Sequence, residues 1–463
     1  SKLEEKIQVK KGNYNRFWRW HFYGALFITP LLLTLTLSGI GYLFYTDVEN
    51  QLYDDLFFGD SEKMEELSID EGISTAENLY EGYSVSKVIV LDDSYNTRLT
   101  MVNESGEQKY VFLDDNYQVV GSQNAEQTYS NVMRNIHSSL LVGGTFVNYL
   151  VELAACWAIF LFLSGIYMTI KGRALKKKQN ATTRQVNRKW HALIGSIIVI
   201  PMVVLIFTGL PWSALMGNFI YSAAQENPSI GIPELKQQPP TSDMSEVPWA
   251  TRKNEAPSST DAHANHGNTS SIPGMSDENH MMVSVQQLMQ EVEGVNISKP
   301  FSIVYPISED DVFRVSKGSN TGVTGLDVRP HEEMTTYFDQ YSGQLISQVN
   351  YEDYGILAKW FTWRIPLHEG HLFGWPNKVI NLVVCIAFII VIILGFKTWL
   401  SRKKTGQLSA PPNVASGMPI GFIVLMIVLG IIMPLFGLSL LIVICIEGMM
   451  YLIKKQRNNS SDN

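Results

Sequence analysis

The residues best able to do chemistry in this chain are histidines, and their surroundings are repeated. Arg19-Trp20-His21 is followed by an apolar run that ends in Ser38-Gly39, and Lys189-Trp190-His191 is followed by one that ends in Thr208-Gly209. In both copies the glycine comes 18 residues after the histidine, and a proline, Pro30 or Pro201, sits near the middle. Two imidazoles at the same depth in two apolar helices are what a metal ion or a haem held between them would need.

A second pair repeats in the same way. Ile136-His137 is followed by Gly143 six residues after the histidine, Leu367-His368 is followed by Gly374 at the same interval, and the apolar runs beyond them end in Ser164-Gly165 and Leu394-Gly395. By this register His368 corresponds to His137, with neighbouring His371 as the alternative. The expected constellation is two pairs, His21 with His191 and His137 with His368, one near each face of a membrane. A lone boundary histidine is most often an amphipathic anchor. Four in matched pairs carry more weight, because polar groups inside a membrane are costly and tend to be functional.

An imidazole from each of two facing helices can hold a b-type haem without covalent attachment, and no Cys-x-x-Cys-His is present for the c-type alternative. Two haems b are therefore the expected cofactors. Their propionates call for cations. Arg16, Arg19, Arg188 and Lys189 flank the inner pair, and Arg134 and Arg364 stand three and four residues before His137 and His368. At the inner face, anchoring of the topology explains basic residues equally well. The glycines within the apolar runs fit ordinary helix packing or a flat cofactor. Glu152 is costly at its depth and points to a protein interior, a proton path or a quinone site.

These groups need helices to position them. Apolar blocks at about 18–46, 149–170, 190–212 and 379–400 are long enough to cross a hydrocarbon core of roughly 30 Å, although only 46% of all residues are hydrophobic. A further apolar block at 418–453, interrupted by Pro434 and Gly437, reads as a hairpin of two short helices, giving about six membrane helices. The first block is too long for a signal-peptide core and lacks a small-residue cleavage site, so it reads as a retained helix. Lys and Arg cluster at 2–19, 171–189, 397–404 and 454–457, which by the positive-inside rule puts those segments and the N-terminus in the cytoplasm. The long acidic regions then lie outside, and they account for the net charge of −8; nothing suggests nucleic-acid binding. Cys156, Cys385 and Cys445 all lie in apolar blocks, where they read as small packing residues.

Outside the membrane, β-rich runs near 86–90, 99–102 and 110–113 are separated by Asp, Asn and Gly turns. A helix-like 284–292 precedes strands near 301–305, 312–315 and 335–338. Two small α+β modules, each hung between a pair of membrane helices, fit this pattern. The expected organisation is an N-terminal segment and first span (1–46), a first external module (47–136), a second span (137–171), a cytoplasmic loop (172–188), a third span (189–213), a second external module (214–367), a fourth span (368–400), a loop (401–417), the hairpin (418–453) and a tail (454–463). Residues 236–282, rich in Pro, Ser, Asn, Asp and His, read as a flexible linker. Its His263, His266 and His280, with Met275, Met281 and Met282, suit copper by ligand type, although their spacing is irregular.

At this point the chain resembles the PepSY-associated transmembrane family, a group that includes bacterial inner-membrane siderophore-iron reductases. The resemblance rests on Arg19-Trp20-His21-Phe22-Tyr23-Gly24 with Ser38-Gly39, on the stretch from His137 to Val151-Glu152-Leu153, on His191 with Thr208-Gly209-Leu210-Pro211-Trp212, and on Leu367-His368-Glu369-Gly370. Tyr337-Phe338-Asp339-Gln340-Tyr341-Ser342-Gly343 resembles the closing strand and turn of a PepSY module. The resemblance covers essentially the whole chain outside the linker. It implies a membrane all-α bundle with an internal repeat and two extracytoplasmic α+β PepSY-like domains, in a multi-pass protein of the bacterial cytoplasmic (inner) membrane. It also implies electron transfer through b-type haem to an extracytoplasmic ferric siderophore or other metal complex. No GxGxxG follows a strand, so a separate cytoplasmic or quinone donor is required. Two other classes remain open: a haem-free membrane-anchored PepSY binding or regulatory protein, and a copper-handling membrane protein that uses the linker.

Overall fold

The computed structural model describes residues 2–231, 281–319, 322–414 and 417–461. In chain order its helices are α1 (Lys2–Leu43), α2 (Tyr45–Leu52), α3 (Asp54–Phe57), α4 (Ile69–Leu79), α5 (Tyr129–Ser139), α6 (Thr145–Lys171) and α7 (Thr183–Gly209). They continue with α8 (Met216–Glu226), α9 (Val285–Gly294), α10 (Ile356–Glu369), α11 (Trp375–Arg402), α12 (Ile420–Ile432) and α13 (Pro434–Ser461). The chain divides into two compact units, one of Ser1–Ile40, Asn135–Tyr221 and Trp375–Asn463, the other of Gly41–Arg134 and Ser222–Gly374.

The first unit is a helical bundle. Among the described residues five helices are long and apolar enough to cross a membrane: Leu3–Leu43, Thr145–Lys171, Thr183–Trp212, Trp375–Arg402 and Pro434–Asn459. The apolar block that reads as two short helices divides at Met433, immediately before Pro434, into α12 and α13, of which α13 is long, with 28 residues. The first arm, α12, has only 13 residues, about 20 Å of helix, which is short of a full crossing. Proline begins the second arm because it lacks the N–H that an interior position would need. The arms fold tightly together: a Cβ at Gly430 would lie 3.1 Å from Gly437 Cα.

α13 joins the bundle through the Trp157 indole N–H, which donates to Ser439 Oγ at 3.0 Å, and through Phe436, whose ring is 4.8 Å from that of Trp157. Helices in lipid gain little from hydrophobic exclusion and associate by close packing. Gly24 illustrates this, since a Cβ there would meet the Trp157 ring at 3.1 Å. The start of α7 is fixed by a capping box in which Thr182 Oγ1 accepts the Gln185 N–H and Gln185 Oε1 accepts the Thr182 N–H.

The second unit is built on one antiparallel sheet. Its strands are β1 (Tyr83–Val90), β2 (Thr97–Asn103), β3 (Gln108–Leu113), β4 (Val119–Asn124), β5 (Phe301–Val304), β6 (Val312–Lys317), β7 (Met334–Asp339) and β8 (Leu345–Asn350), in the spatial order β4-β3-β2-β1-β5-β6-β7-β8. The two strand sets that the sequence suggests as separate modules are thus joined. β1 and β5, the innermost strand of each four-stranded meander, pair with Val90 opposite Phe301 and Val88 opposite Ile303. The physical reason is that each would otherwise be an exposed edge with unpaired backbone groups.

Alternation along the strands gives one apolar face, with Val88, Leu99, Val111, Ile303, Phe313 and Phe338 buried against Ile73 of α4 and Leu288 of α9. The two halves are also pinned by Asp70 of α4, whose carboxylate accepts the Val285 and Gln286 N–H groups at the start of α9, each at 2.9 Å. Each half therefore caps or pairs the other.

Candidate cofactor site

His21 enters the bundle interior from α1 and His191 from α7. Their ring centroids lie 6.3 Å apart with the planes at 88°. Each ring is held from behind through Nδ1. His21 Nδ1 is 2.8 Å from Ser164 Oγ on α6, and that hydroxyl in turn donates to the Leu161 carbonyl at 3.1 Å, so it accepts from the ring. His191 Nδ1 donates to the Val391 carbonyl on α11 at 2.7 Å. With Nδ1–H spent on a carbonyl or on such a hydroxyl, a neutral imidazole carries its lone pair on Nε2, the atom that binds a metal.

The repeated glycines prove to be where these rings rest. A Cβ on Gly165 would lie 3.5 Å from His21 Cε1, and one on Gly395 would lie 3.0 Å from His191 Cε1. The carbonyl four residues before the glycine accepts from His191 directly, at Val391, and from His21 through the Ser164 hydroxyl, at Leu161. His137 obeys the same rule: its Nδ1 donates to the Leu35 carbonyl at 2.9 Å, lies 3.0 Å from Ser38 Oγ, and its Cε1 would be 3.4 Å from a Cβ on Gly39. In the sequence these glycines fit packing residues or room for a flat cofactor; their recurrence with the histidines is the signal that marks them as docking surfaces for imidazole.

A cavity of about 280 Å³ lies between α1, α6, α7 and α11, walled mostly by apolar side chains such as Phe162, Phe388 and Trp399, with both His21 and His191 on its lining. Such a volume is near the lower end for small-molecule sites. Arg184, Arg188 and Arg402 line it as well. Of the cations that the sequence suggests for the inner pair, only Arg188 reaches the cavity. Arg19 instead donates to the Pro411 carbonyl at 2.7 Å and sits 5.1 Å from the Tyr23 ring centroid, and Arg16 donates to the Gly417 carbonyl at 3.0 Å.

The remaining candidate residues are distributed as follows. His137 belongs to α5, a separate helix before the second span, and not to the span itself. His368 likewise lies in the last turn of α10, before α11. The chain breaks after each through left-handed glycines, Gly143 (φ 75°) and Gly374 (φ 69°), the two that stand six residues beyond the histidines. His371 lies past the end of α10, and its Nε2 is 2.9 Å from Glu369 Oε2.

Arg134 stands by Tyr42, at 5.9 Å from its ring centroid. Burial alone would weaken the Arg134 charge, but Tyr42 and Glu369 more than offset this and hold its pKa above the usual value. Nearby Tyr45 is pushed well above the normal phenol range by burial first, then by Tyr42 and Glu369. Arg364 is buried, with its guanidinium 5.5 Å from the Phe361 ring centroid. Glu152 is 1% exposed, and its Oε1 accepts the Met216 N–H at 2.7 Å, so it ties the start of α8 to α6. Cys156, Cys385 and Cys445 are all free thiols. His263, His266 and His280 lie outside the described residues. Among the described residues no group of three or more His, Cys, Asp or Glu side chains is placed to hold a bare metal ion.

A bundle of long apolar helices carrying an antiparallel-sheet unit defines a multi-pass membrane protein. Residues 18–402 match the PepSY-associated TM region, and the chain belongs to that family. No curated protein sequence matches it.

Proposed function

We propose that this chain is a b-type di-haem electron-transfer protein of a bacterial cytoplasmic (inner) membrane, with its N-terminus in the cytoplasm. It takes electrons from a cytoplasmic or quinone donor and reduces an extracytoplasmic ferric siderophore or other metal complex. The observation that carries this reading is the His21–His191 pair. The two rings stand 6.3 Å apart and line one cavity, so both would reach a single group bound between them.

The residues present fit the group: two imidazoles with Nδ1 engaged elsewhere, an apolar wall, and a cationic margin. When bound, haem supplies reversible one-electron iron chemistry whose potential its axial ligands and surroundings set. His21 and His191 would hold the inner group, with Ser164 and Val391 fixing ring orientation and tautomer. Phe162, Phe388 and Trp399 would give the group an apolar wall. The second pair, His137 and His368, is assigned to the outer group on the matched spacing in the sequence alone. His368 is preferred to His371 because it, and not His371, holds the register of His137 in the repeat. The basic clusters support the orientation through the positive-inside rule.

The test is reduction across a bilayer. In proteoliposomes loaded with dithionite, a ferric complex added outside is expected to be reduced only when the protein is present, and His191→Ala is expected to abolish the reaction. A rate equal to that of protein-free liposomes would contradict the proposal.

A further inference from the structure

The cavity between His21 and His191 gathers three guanidinium groups. Arg184 and Arg188 are one turn apart on α7, Arg402 ends α11, and no carboxylate occurs among the described lining residues. Arg402 is stacked against aromatic rings, 4.8 Å from the centroid of Trp18 and 5.5 Å from that of Phe22. The Nε atoms of Arg188 and Arg402 are closed to solvent and have no hydrogen-bond partner among the described residues. A guanidinium nitrogen that loses water without a replacement is costly, and like charges converging on one cavity repel. An anion seated between them removes both costs, since the planar fork of arginine matches a carboxylate.

We infer that Arg188 and Arg402, with Arg184 beside them, form an anion clamp for the carboxylate edge of a flat, apolar ligand whose plate lies between the two histidines. The inference rests on the haem reading and deepens it by orienting the ligand: the acidic edge points to the end of the cavity where α7 begins and α11 ends. It also assigns the clamp to one half of the repeat. The first half's own cations, Arg16 and Arg19, are committed to the Gly417 and Pro411 carbonyls. The second half supplies all three cavity arginines.

The experiment compares two probes, iron protoporphyrin IX and its dimethyl ester, which has the same plate without the charges. Full-length protein purified from haem-deficient cells is titrated with each. The absorbance lost in His21→Ala is taken as the inner site. Wild type is expected to bind the diacid about tenfold or more tightly than the diester. R188A/R402A is expected to lose that preference while binding the diester as wild type does, which also shows that the cavity is intact. R188K/R402K, which keeps charge but not the fork, is expected to recover part of the preference. Equal binding of both probes by wild type, with normal bis-imidazole bands, would overturn the clamp and leave the haem reading standing. Wild-type preference retained in R188A/R402A would do the same. Binding of neither probe by wild type would overturn both.

Discussion

The same side chain is used in opposite ways at two places. In the bundle, His21 and His191 make their hydrogen bonds through Nδ1, to α6 and α11, and lie ring to ring across a cavity. In the turn after α10, His371 makes its hydrogen bond through Nε2, to Glu369. Both arrangements satisfy the imidazole, but only the first leaves Nε2 available. A histidine presented as a ligand is thus recognised by where its other nitrogen is tied. For His191 the tie is a backbone carbonyl, which can only accept and so dictates the tautomer; for His21 it is the Ser164 hydroxyl, whose own hydrogen goes to the Leu161 carbonyl.

The strongest way to break this contrast is to remove one ring from each place. His191→Ala is expected to eliminate one of two haems per chain in the purified protein, measured by pyridine haemochrome. The next effect comes from filling a glycine on which a ring rests. Gly395→Ala puts a Cβ 3.0 Å from His191 Cε1 and 3.2 Å from its Nδ1; overpacking of this kind costs about 1–3 kcal/mol, seen as lower haem retention on dilution. Gly165→Ala should be milder, because the corresponding distance to His21 Cε1 is 3.5 Å. Equal effects would show that the ring contacts are not what these glycines serve.

A smaller change is expected for Ser164→Ala, which removes the hydroxyl that holds His21 Nδ1 but leaves the ring in its packed position; the loss should be about 1 kcal/mol, read as a shift in the redox midpoint of the inner site without loss of cofactor. The smallest is His371→Ala, which should leave two haems per chain and unchanged reduced-minus-oxidised bands. Loss of one haem there would exchange the roles assigned to His368 and His371.

Much of the membrane unit was legible in the chain because the repeat preserves what the site uses. The four principal apolar blocks, the break before Pro434 and the His21–His191 pairing all follow from residues that recur at fixed spacing. The cavity arginines were harder to see. Arg19 adjoins His21 in sequence, yet helical geometry turns it toward Pro411, while Arg184 and Arg402 reach the cavity from positions 7 residues before His191 and 7 after Gly395. Proximity along a helix is a poor guide to which way a long side chain points.

In the sheet unit, six strands announced themselves through β-branched and aromatic runs. β4 and β8 did not, because they are the outer edges, and their polar, partly exposed residues lack the apolar alternation of a strand packed on a core. The fusion of two meanders through β1 and β5 is a long-range pairing that no local pattern encodes.

The most direct test of the central claim is a visible absorption spectrum of the detergent-purified protein, oxidised and then dithionite-reduced, with haem counted per chain in wild type and in His21→Ala. Sharp b-type α and β bands are expected, with about two haems per wild-type chain and about one in the variant. A colourless protein from haem-replete cells, or a His21→Ala variant with undiminished haem, would contradict it.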